Sequence, residues 1–463
     1  MSLIIPANTL ASGGYQVANS CRFDGTSAYL SRTQGTPTDV DKYTISVWFK
    51  RSALFNGAYQ NIIGTDHQSV REAIRFNDDA DSLTWDFKNA SNTKSNITPN
   101  QLFRDVAAWY HLVCIFDSAN GTANLRRRIF LNGTEITSFA AVTYNAQNED
   151  GNLNKGGQNI VIGIPAAANN FFNGYMSEFV FVDGQALTPD GNFGEFDEDS
   201  GIWKPIDVSG LTFGNNGFYL DFEDSGDLGD DESGNGNDFA ETNLAAIDQS
   251  TDTCTNNFAT LNVLNKGTSV SLSEGNLAYT APSGSFASVL STIGFSQGKW
   301  YAEYQWKSGS NSHVGIGKEN INYNHYLSYT ANGYSYYKDG RKFNNSSASS
   351  YGNSYAVDDI IGVALDLDNG AIWFSKNGTW QNSATLTEIQ NGTTTNAAFT
   401  SLSGEFFFGT GMGNSNELAY FNFGSPPYSE SGGETDGNGY GNFAHAVPTN
   451  YYSLNTKNLA EYG

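Results

Sequence analysis

Three groups of residues in this chain have the types and spacing that chemistry needs. The run Glu195-Phe196-Asp197-Glu198-Asp199 puts Glu195, Asp197 and Asp199 on one face if it is extended. Two carboxyls about 5 to 5.5 Å apart, one as nucleophile and one as acid, are what retaining hydrolysis of a glycosidic bond requires. The run from Asp230 to Asp238 sets Asp230, Asp231, Asn235, Asn237 and Asp238 in a Gly-rich loop, hard oxygen donors of the kind that wrap Ca²⁺. Finally, Tyr323, Tyr326, Tyr329, Tyr334, Tyr336, Tyr337, Tyr351 and Tyr355 are interspersed with Asn and Ser. Aromatic rings stack on sugar faces while Asn and Ser bond hydroxyls, and Tyr-Ser-Asn loops also make protein-binding surfaces.

Each group has a plainer reading. The acidic run at 195–199 follows the last expected strand, among Gly and Pro, which favours a solvated linker over catalysis. The 230–238 run lacks the twelve-residue EF-hand layout with its terminal Glu, so an Asx-rich turn is favoured over a structural Ca²⁺ site. Alternate tyrosines can also pack inside a sheet, and for them the packing and ligand-binding readings stand level. His67, His111, His313, His325 and His445 are dispersed, without paired metal spacing. No nucleophile elbow and no phosphate loop stands out. The expectation is a binding protein without cofactor, not an enzyme.

Charge narrows the partners. Asp and Glu number 48 against 24 Lys and Arg, a net charge of -24 that repels phosphate backbones and anionic membranes. The triplet Arg126-Arg127-Arg128 is too short for a nucleic-acid patch and is expected to pair with acidic neighbours. Cys21, Cys114 and Cys254 read as buried free thiols, with one disulfide as the alternative. The sequons at Asn96, Asn120, Asn132 and Asn377 read as turn and polar-loop chemistry. The N-terminus has no signal-like pattern and no stretch approaches the roughly 20 apolar residues of a membrane span, so no membrane insertion is expected and the protein is expected to be made in the cytosol.

The elements that must position these residues are strands. Apolar and polar residues alternate between Gly, Asn and Asp turns in Tyr43–Phe49, His111–Phe116 and Arg128–Leu131, the last closing on Asn132-Gly133. A second alternating region contains Trp300–Trp306, Ile360–Asp366 and Ala371–Lys376, with Asp368-Asn369-Gly370 as a hairpin turn. Trp48, Trp300 and Trp373 sit at strand positions and are expected to be buried. No 3.6-residue periodicity is long enough to predict a helix. The fold expected is all-β, two tandem antiparallel β-sandwiches. The boundaries expected are an N-terminal arm at 1–20, a first domain at 21–200, an acidic Gly/Asn-rich connector at 201–267, a second domain at 268–428 and a C-terminal tail at 429–463.

Ordered motifs add family resemblances. Arg22-Phe23-Asp24-Gly25, Tyr43–Trp48, Trp109-Tyr110-His111-Leu112, Phe130-Leu131-Asn132-Gly133, Ile160–Gly163 and Phe172–Glu178 resemble the laminin-G-like branch of the concanavalin A-like lectin and glucanase superfamily. Against that family's hydrolases, the third position of the 195–199 run carries Asp where their pattern has Glu. Gly298–Tyr301, Val314–Gly317, Asp359–Asp366, Ile372–Gly378 and Phe406–Gly409 with Phe421–Gly424 resemble a SPRY domain, a family of protein-recognition modules. The tandem, with Gly201–Pro205 and the ending Leu454–Leu459, resembles structural proteins of tailed bacteriophages, marine ones in particular. That resemblance implies a virion-surface protein made in the host bacterial cytoplasm. It would be a tail fibre or tail adhesin recognising host glycan or protein, with a head decoration or head fibre as the alternative and a glycan hydrolase as a distant one. It would assemble with other virion proteins, as a homotrimer if it forms a fibre.

Overall fold

The structure is a computed structural model that describes residues 14–463 except 55–56, 58, 67–69, 78–79, 90–93, 165–170, 282–283, 285, 414–415 and 431, together with the side chains of Lys94 and Met412. The residues divide into two units, 14–256 and 257–463. In both, the regular structure is mostly strand, and the strands pair antiparallel except where Tyr452–Ser453 meets Lys299–Ser308.

In the first unit two sheets enclose a core. One sheet runs, in spatial order, Thr134–Glu135, Arg127–Leu131, Trp109–Asp117, Lys42–Arg51, Asn173–Asp183, Ser20–Asp24 and Gln249–Ser250. The other runs Phe139–Thr143, Lys94–Pro99, Leu83–Lys88, Arg71–Phe76, Gln60–Thr65, Asn159–Ile162, Tyr29–Thr33 and Ala240–Thr242. Period-two alternation sends Tyr43, Ile45, Val47 and Phe49 from the first sheet and Ile74, Phe76, Trp85 and Ile97 from the second into one buried cluster. Each such side chain contributes about 1.5 to 3 kcal/mol on burial. Asn132-Gly133 turns the hairpin with φ of 47° and 77°, the left-handed pair that a tight two-residue connection demands.

The expected connector is not one. Trp203–Pro205 pairs with Gly194–Phe196, Phe218–Leu220 with the Asn173–Asp183 strand, Ala240–Thr242 with Tyr29–Thr33, and Gln249–Ser250 with Ser20–Asp24. Phe193, Val208, Phe213 and Tyr219 lie over Val113, Ile115, Phe130, Val180 and Val182, covering the outer face of the first sheet. These strands are two or three residues long, too short to show alternation, and that is why the segment reads as linker. Leu261–Lys266, also expected there, pairs instead with Phe286–Ser291 of the second unit.

The second unit has one sheet in the order Leu261–Lys266, Phe286–Ser291, Phe407–Gly413, Ser312–Gly317, Gly333–Tyr337, Arg341–Asn344 and Ser347–Ser350. The other is Ser271–Ser273, Ala278–Ala281, Glu417–Asn422, Lys299–Ser308, Ile360–Asp366, Ala371–Lys376 and Thr379–Trp380. Trp300, Tyr304, Val314, Ile316, Phe374, Phe408 and Phe421 meet between them. The expected tail at 429–463 is packed structure: Tyr452–Ser453 runs parallel to Lys299–Ser308, Thr456–Tyr462 is helical, and Phe443 and Tyr451 are buried beside Trp373. The α-helices among the described residues, Leu386–Gln390 and Thr456–Tyr462, are shorter than a sequence period can reveal.

Among the described residues no helix is long and apolar enough to cross a membrane. The three cysteines are buried and none is in a disulfide. Trp48, Trp300 and Trp373 are buried, though only Trp300 lies between the sheets. Of the arm at 1–20, residues 1–13 lie outside the described residues, as does His67, while Tyr15 and Val17 pack on the first unit and Ser20 begins a strand.

Candidate functional site

The outer face of the first unit's second sheet carries a groove of about 430 Å³. Its floor comes from Arg71–Phe76, Leu83–Lys88 and Lys94–Pro99, paired so that Ala73 faces Asp86, Arg75 faces Thr84, and Asp86 faces Asn96. Alternation points Ile74, Phe76, Trp85 and Ile97 into the core, so Arg71, Arg75, Thr84, Asp86, Lys88, Asn96 and Thr98 point out together. Arg71 Nη2 and Arg75 Nη2 each donate to Asp86 Oδ2 at 2.6 Å. The Arg75 guanidinium lies 3.8 Å over the Tyr59 ring, and the hydroxyls of Thr84 and Thr98 share a 2.8 Å hydrogen bond. Asp86 Oδ1 and Arg71 Nε are buried and take no hydrogen bond. The groove thus sets three cations and one carboxylate beside hydroxyl and amide groups.

None of these residues was a sequence candidate. Each is an ordinary outward polar position on its own strand, and only the pairing register brings them together.

The tyrosines separate by face. Tyr336, Tyr351 and Tyr355 point inward and are buried in the core, where Tyr336 packs on Phe374 with ring centres 5.4 Å apart and Tyr351 Oη accepts from Phe374 N. They are not available to a ligand. Tyr334 is half-buried against Phe399 and Phe406, and Tyr323 packs beside Leu290, Ile321 and Phe407 while donating to Glu319 O. Tyr326 and Tyr337 reach the outer face, in an aromatic group that the sequence reading named only in part. His313 stacks on Tyr326 at 4.8 Å, His325 stacks between Phe286 and Tyr329, Tyr337 packs against Phe343, and Arg341 covers Phe343 at 5.0 Å. Tyr329, at 40% exposure, is its open edge.

Glycines set that surface. A Cβ on Gly411 would lie 2.4 Å from Leu327 N, and one on Gly317 3.1 Å from the Ile321 side chain. Bare backbone at these outward positions lets the segment from Ile321 to Leu327 lie flat on the sheet and deliver His325, Tyr326 and Tyr329.

The acidic groups do other work. Glu195 and Asp197 sit on the 194–205 hairpin, both paired with Lys204, at 3.2 and 3.1 Å. Hydrogen bonds from Ser200 and then Lys204 push the Asp197 carboxyl down to about 2, the reverse of what a general acid needs. Asp231 accepts from the backbone N–H of Tyr219, Ser233 and Asn237 at 2.8 to 2.9 Å, and from the Ser233 hydroxyl. Asn235 and Asn237 donate to Gly217 O, and Asp238 accepts from Asp231 N. The Asp231 oxygens are thus taken up by N–H and O–H donors of the turn itself and of Tyr219. Asp230 belongs to the same turn, and among the described residues no group of three or more His, Cys, Asp or Glu is placed to hold a metal. Of the arginine triplet Arg128 pairs with Glu135 at 2.6 Å, while Arg127 is buried with its guanidinium 4.2 Å over the Trp85 ring, in the field of Glu72 and Asp86.

Residues 24–191 match the laminin-G-type family model of the concanavalin A-like lectin/glucanases superfamily, and residues 299–426 match that of the SPRY domain. The chain carries a concanavalin A-like domain and a SPRY domain in tandem. No curated protein matches it. Among solved structures, the SPRY domain of human HERC1 is similar over 35% of this chain and 96% of its own, at 18% identity and a TM-score of 0.29. The native heptameric SAP-like pentraxin from Limulus polyphemus is similar over 38% of this chain and 80% of its own, at 17% identity and a TM-score of 0.28. The groove lies in the concanavalin A-like domain and the aromatic face in the SPRY domain.

Proposed function

We propose that this protein is a surface protein of a tailed-bacteriophage particle, a tail fibre or tail adhesin that binds the host surface without turning it over. The observation that carries a binding role is the open groove over Arg71, Asp86 and Asn96. Its guanidinium, hydroxyl and amide groups suit a saccharide. The resemblance of the tandem and of the Leu454–Leu459 ending to phage structural proteins supports the virion setting, and the net charge of -24 suits an exposed position. Weak single sites of this kind gain by repetition on a homotrimer held among other virion proteins. No cofactor or metal enters this reading.

Immunogold labelling of intact particles with antibody to this chain tests it. Label at the tail, together with purified protein adsorbing to host cells, is the expected result. Label confined to the head would make the protein a head decoration or head fibre and sink the adhesin reading.

A further inference from the structure

We propose that the outer aromatic face of the SPRY domain is a binding site for a neutral β-linked pyranoside, which stacks on Tyr329; this site is separate from the groove of the first domain and does not rest on the reading of that groove. Phe286, His325 and Tyr329 form a stack of near-parallel rings, with successive centres 5.4 and 3.5 Å apart and interplanar angles of 1° and 11°. Tyr326 stands across the stack, at 72°, 73° and 84° to its three rings, and is itself stacked on His313 at 4.8 Å. Tyr329 is therefore the end ring. Among the described residues no ring is stacked on its far face, and it is 40% exposed. A ring fixed in this way offers an apolar plate with little further side-chain freedom to lose on binding.

The groups around the plate complement a neutral, hydroxylated ligand. His325 Nδ1 accepts from Tyr326 N at 3.0 Å, so the proton of the neutral ring is on Nε2, which meets no acceptor among the described residues and is left as a donor at the edge of the stack. Burial lowers His313 and His325 below the ordinary value and keeps both uncharged at neutral pH. Beside Tyr329, Asn345 N and Ser346 Oγ donate to Thr330 O and Tyr329 O, which pins an exposed amide and hydroxyl residue next to the plate. The charge of Arg341, over Phe343, is offset by Asp339 at 2.6 Å. The face is thus close to neutral, and the net charge of -24 repels anionic ligands from it. An extended peptide finds no open backbone under these rings, because Ser312–Gly317 and Gly333–Tyr337 are each paired on both edges.

The test is saturation-transfer NMR on the full chain with cellotetraose and with lactose. Transfer to the ring C–H protons of at least one of them is expected, with a Kd of about 1 mM, as suits a single exposed ring. Tyr329→Ala is expected to abolish that transfer and Tyr329→Trp to keep it. His325→Phe, which retains a ring in the stack and removes the Nε2–H, should weaken binding roughly tenfold. Arg71→Gln, in the groove of the first domain, should leave the transfer unchanged. Transfer that survives Tyr329→Ala and is lost in Arg71→Gln would put the sugar in the groove, overturning the SPRY site and leaving the groove reading standing. No transfer to either sugar would overturn the SPRY site as well, and is the result expected of a face that serves a protein partner.

Discussion

Trp203 Nε1 donates to His111 Nδ1 at 2.8 Å. The indole nitrogen can only donate, so His111 Nδ1 is bare and its proton sits on Nε2, which donates to Ser46 Oγ at 2.8 Å. The imidazole is stacked on Trp48 and on Trp203, 4.6 and 5.8 Å between ring centres. A residue from the stretch that reads as linker thus sets the tautomer of a histidine on a central strand.

Burial holds His111 down to about 3, so it is neutral in the folded protein. In the unfolded chain it titrates near the ordinary value of about 6.5. Between those values the unfolded state binds more protons, so stability is full above about 6.5 and is lost as pH falls toward 3. Trp203→Phe removes the donor and is expected to destabilise the first domain by about 1 to 3 kcal/mol at pH 7, measured by urea unfolding. A change below about 0.5 kcal/mol would mean that Trp203 merely rests on the sheet.

Glu178 has the opposite sign. It lies in a bulge of the Asn173–Asp183 strand with φ of 50°, receiving hydrogen bonds from Tyr15 and Tyr219, and its burial raises it to about 8. The folded state therefore holds a proton that the unfolded state gives up near 4.5, and this stability is lost as pH rises toward 8. Glu178→Gln should leave stability at pH 5 nearly unchanged and raise it at pH 8.5. Thermal unfolding at the two pH values is the check, and equal effects at both would refute the assignment.

The period-two pattern was enough to predict both sandwiches because long strands such as Lys42–Arg51 and Lys299–Ser308 repeat the alternation several times. It could not place Trp203 or Phe218, whose strands are three residues long. It marked Arg71, Asp86 and Asn96 as outward without showing that they meet, since register is a property of pairs of strands. For the tyrosines it supplied the residues and left the face open. Tyr336 turned inward because it lies on the face shared by Val314 and Ile316.

That division can be measured. Tyr336→Ala is expected to destabilise the SPRY domain by about 3 to 5 kcal/mol, as for a buried aromatic. Tyr329→Ala, at the open edge of the aromatic face, should stay within about 0.5 kcal/mol. Comparable losses in chemical denaturation would contradict the assignment of faces.

Gly411 offers a test of the loop that carries those aromatics. A methyl group there would press on Leu327 N at 2.4 Å, and backbone cannot yield as a flexible side chain can. Gly411→Ala should cost about 1 to 3 kcal/mol through overpacking and lift the Ile321–Leu327 segment. Hydrogen exchange at His325 and Tyr329, whose N–H groups donate to Asn322 O and Tyr326 O, should speed up, and unchanged protection would show that the glycine is not what seats the loop.

The turn around Asp231 separates hydrogen bonding from metal binding. Its carboxylate ties Tyr219, Ser233 and Asn237 through their backbone N–H groups, which anchors the Phe218–Leu220 strand to the sheet. Asp231→Ala would leave these donors without their acceptor, at about 1 to 3 kcal/mol for each one that water cannot reach. The expected result is a clear fall in the melting temperature of the concanavalin A-like domain. Because the oxygens already face N–H groups, millimolar Ca²⁺ or EDTA should leave that temperature where it was. A rise with Ca²⁺ that Asp231→Ala abolishes would show that a cation, and not the peptide N–H groups, organises this turn.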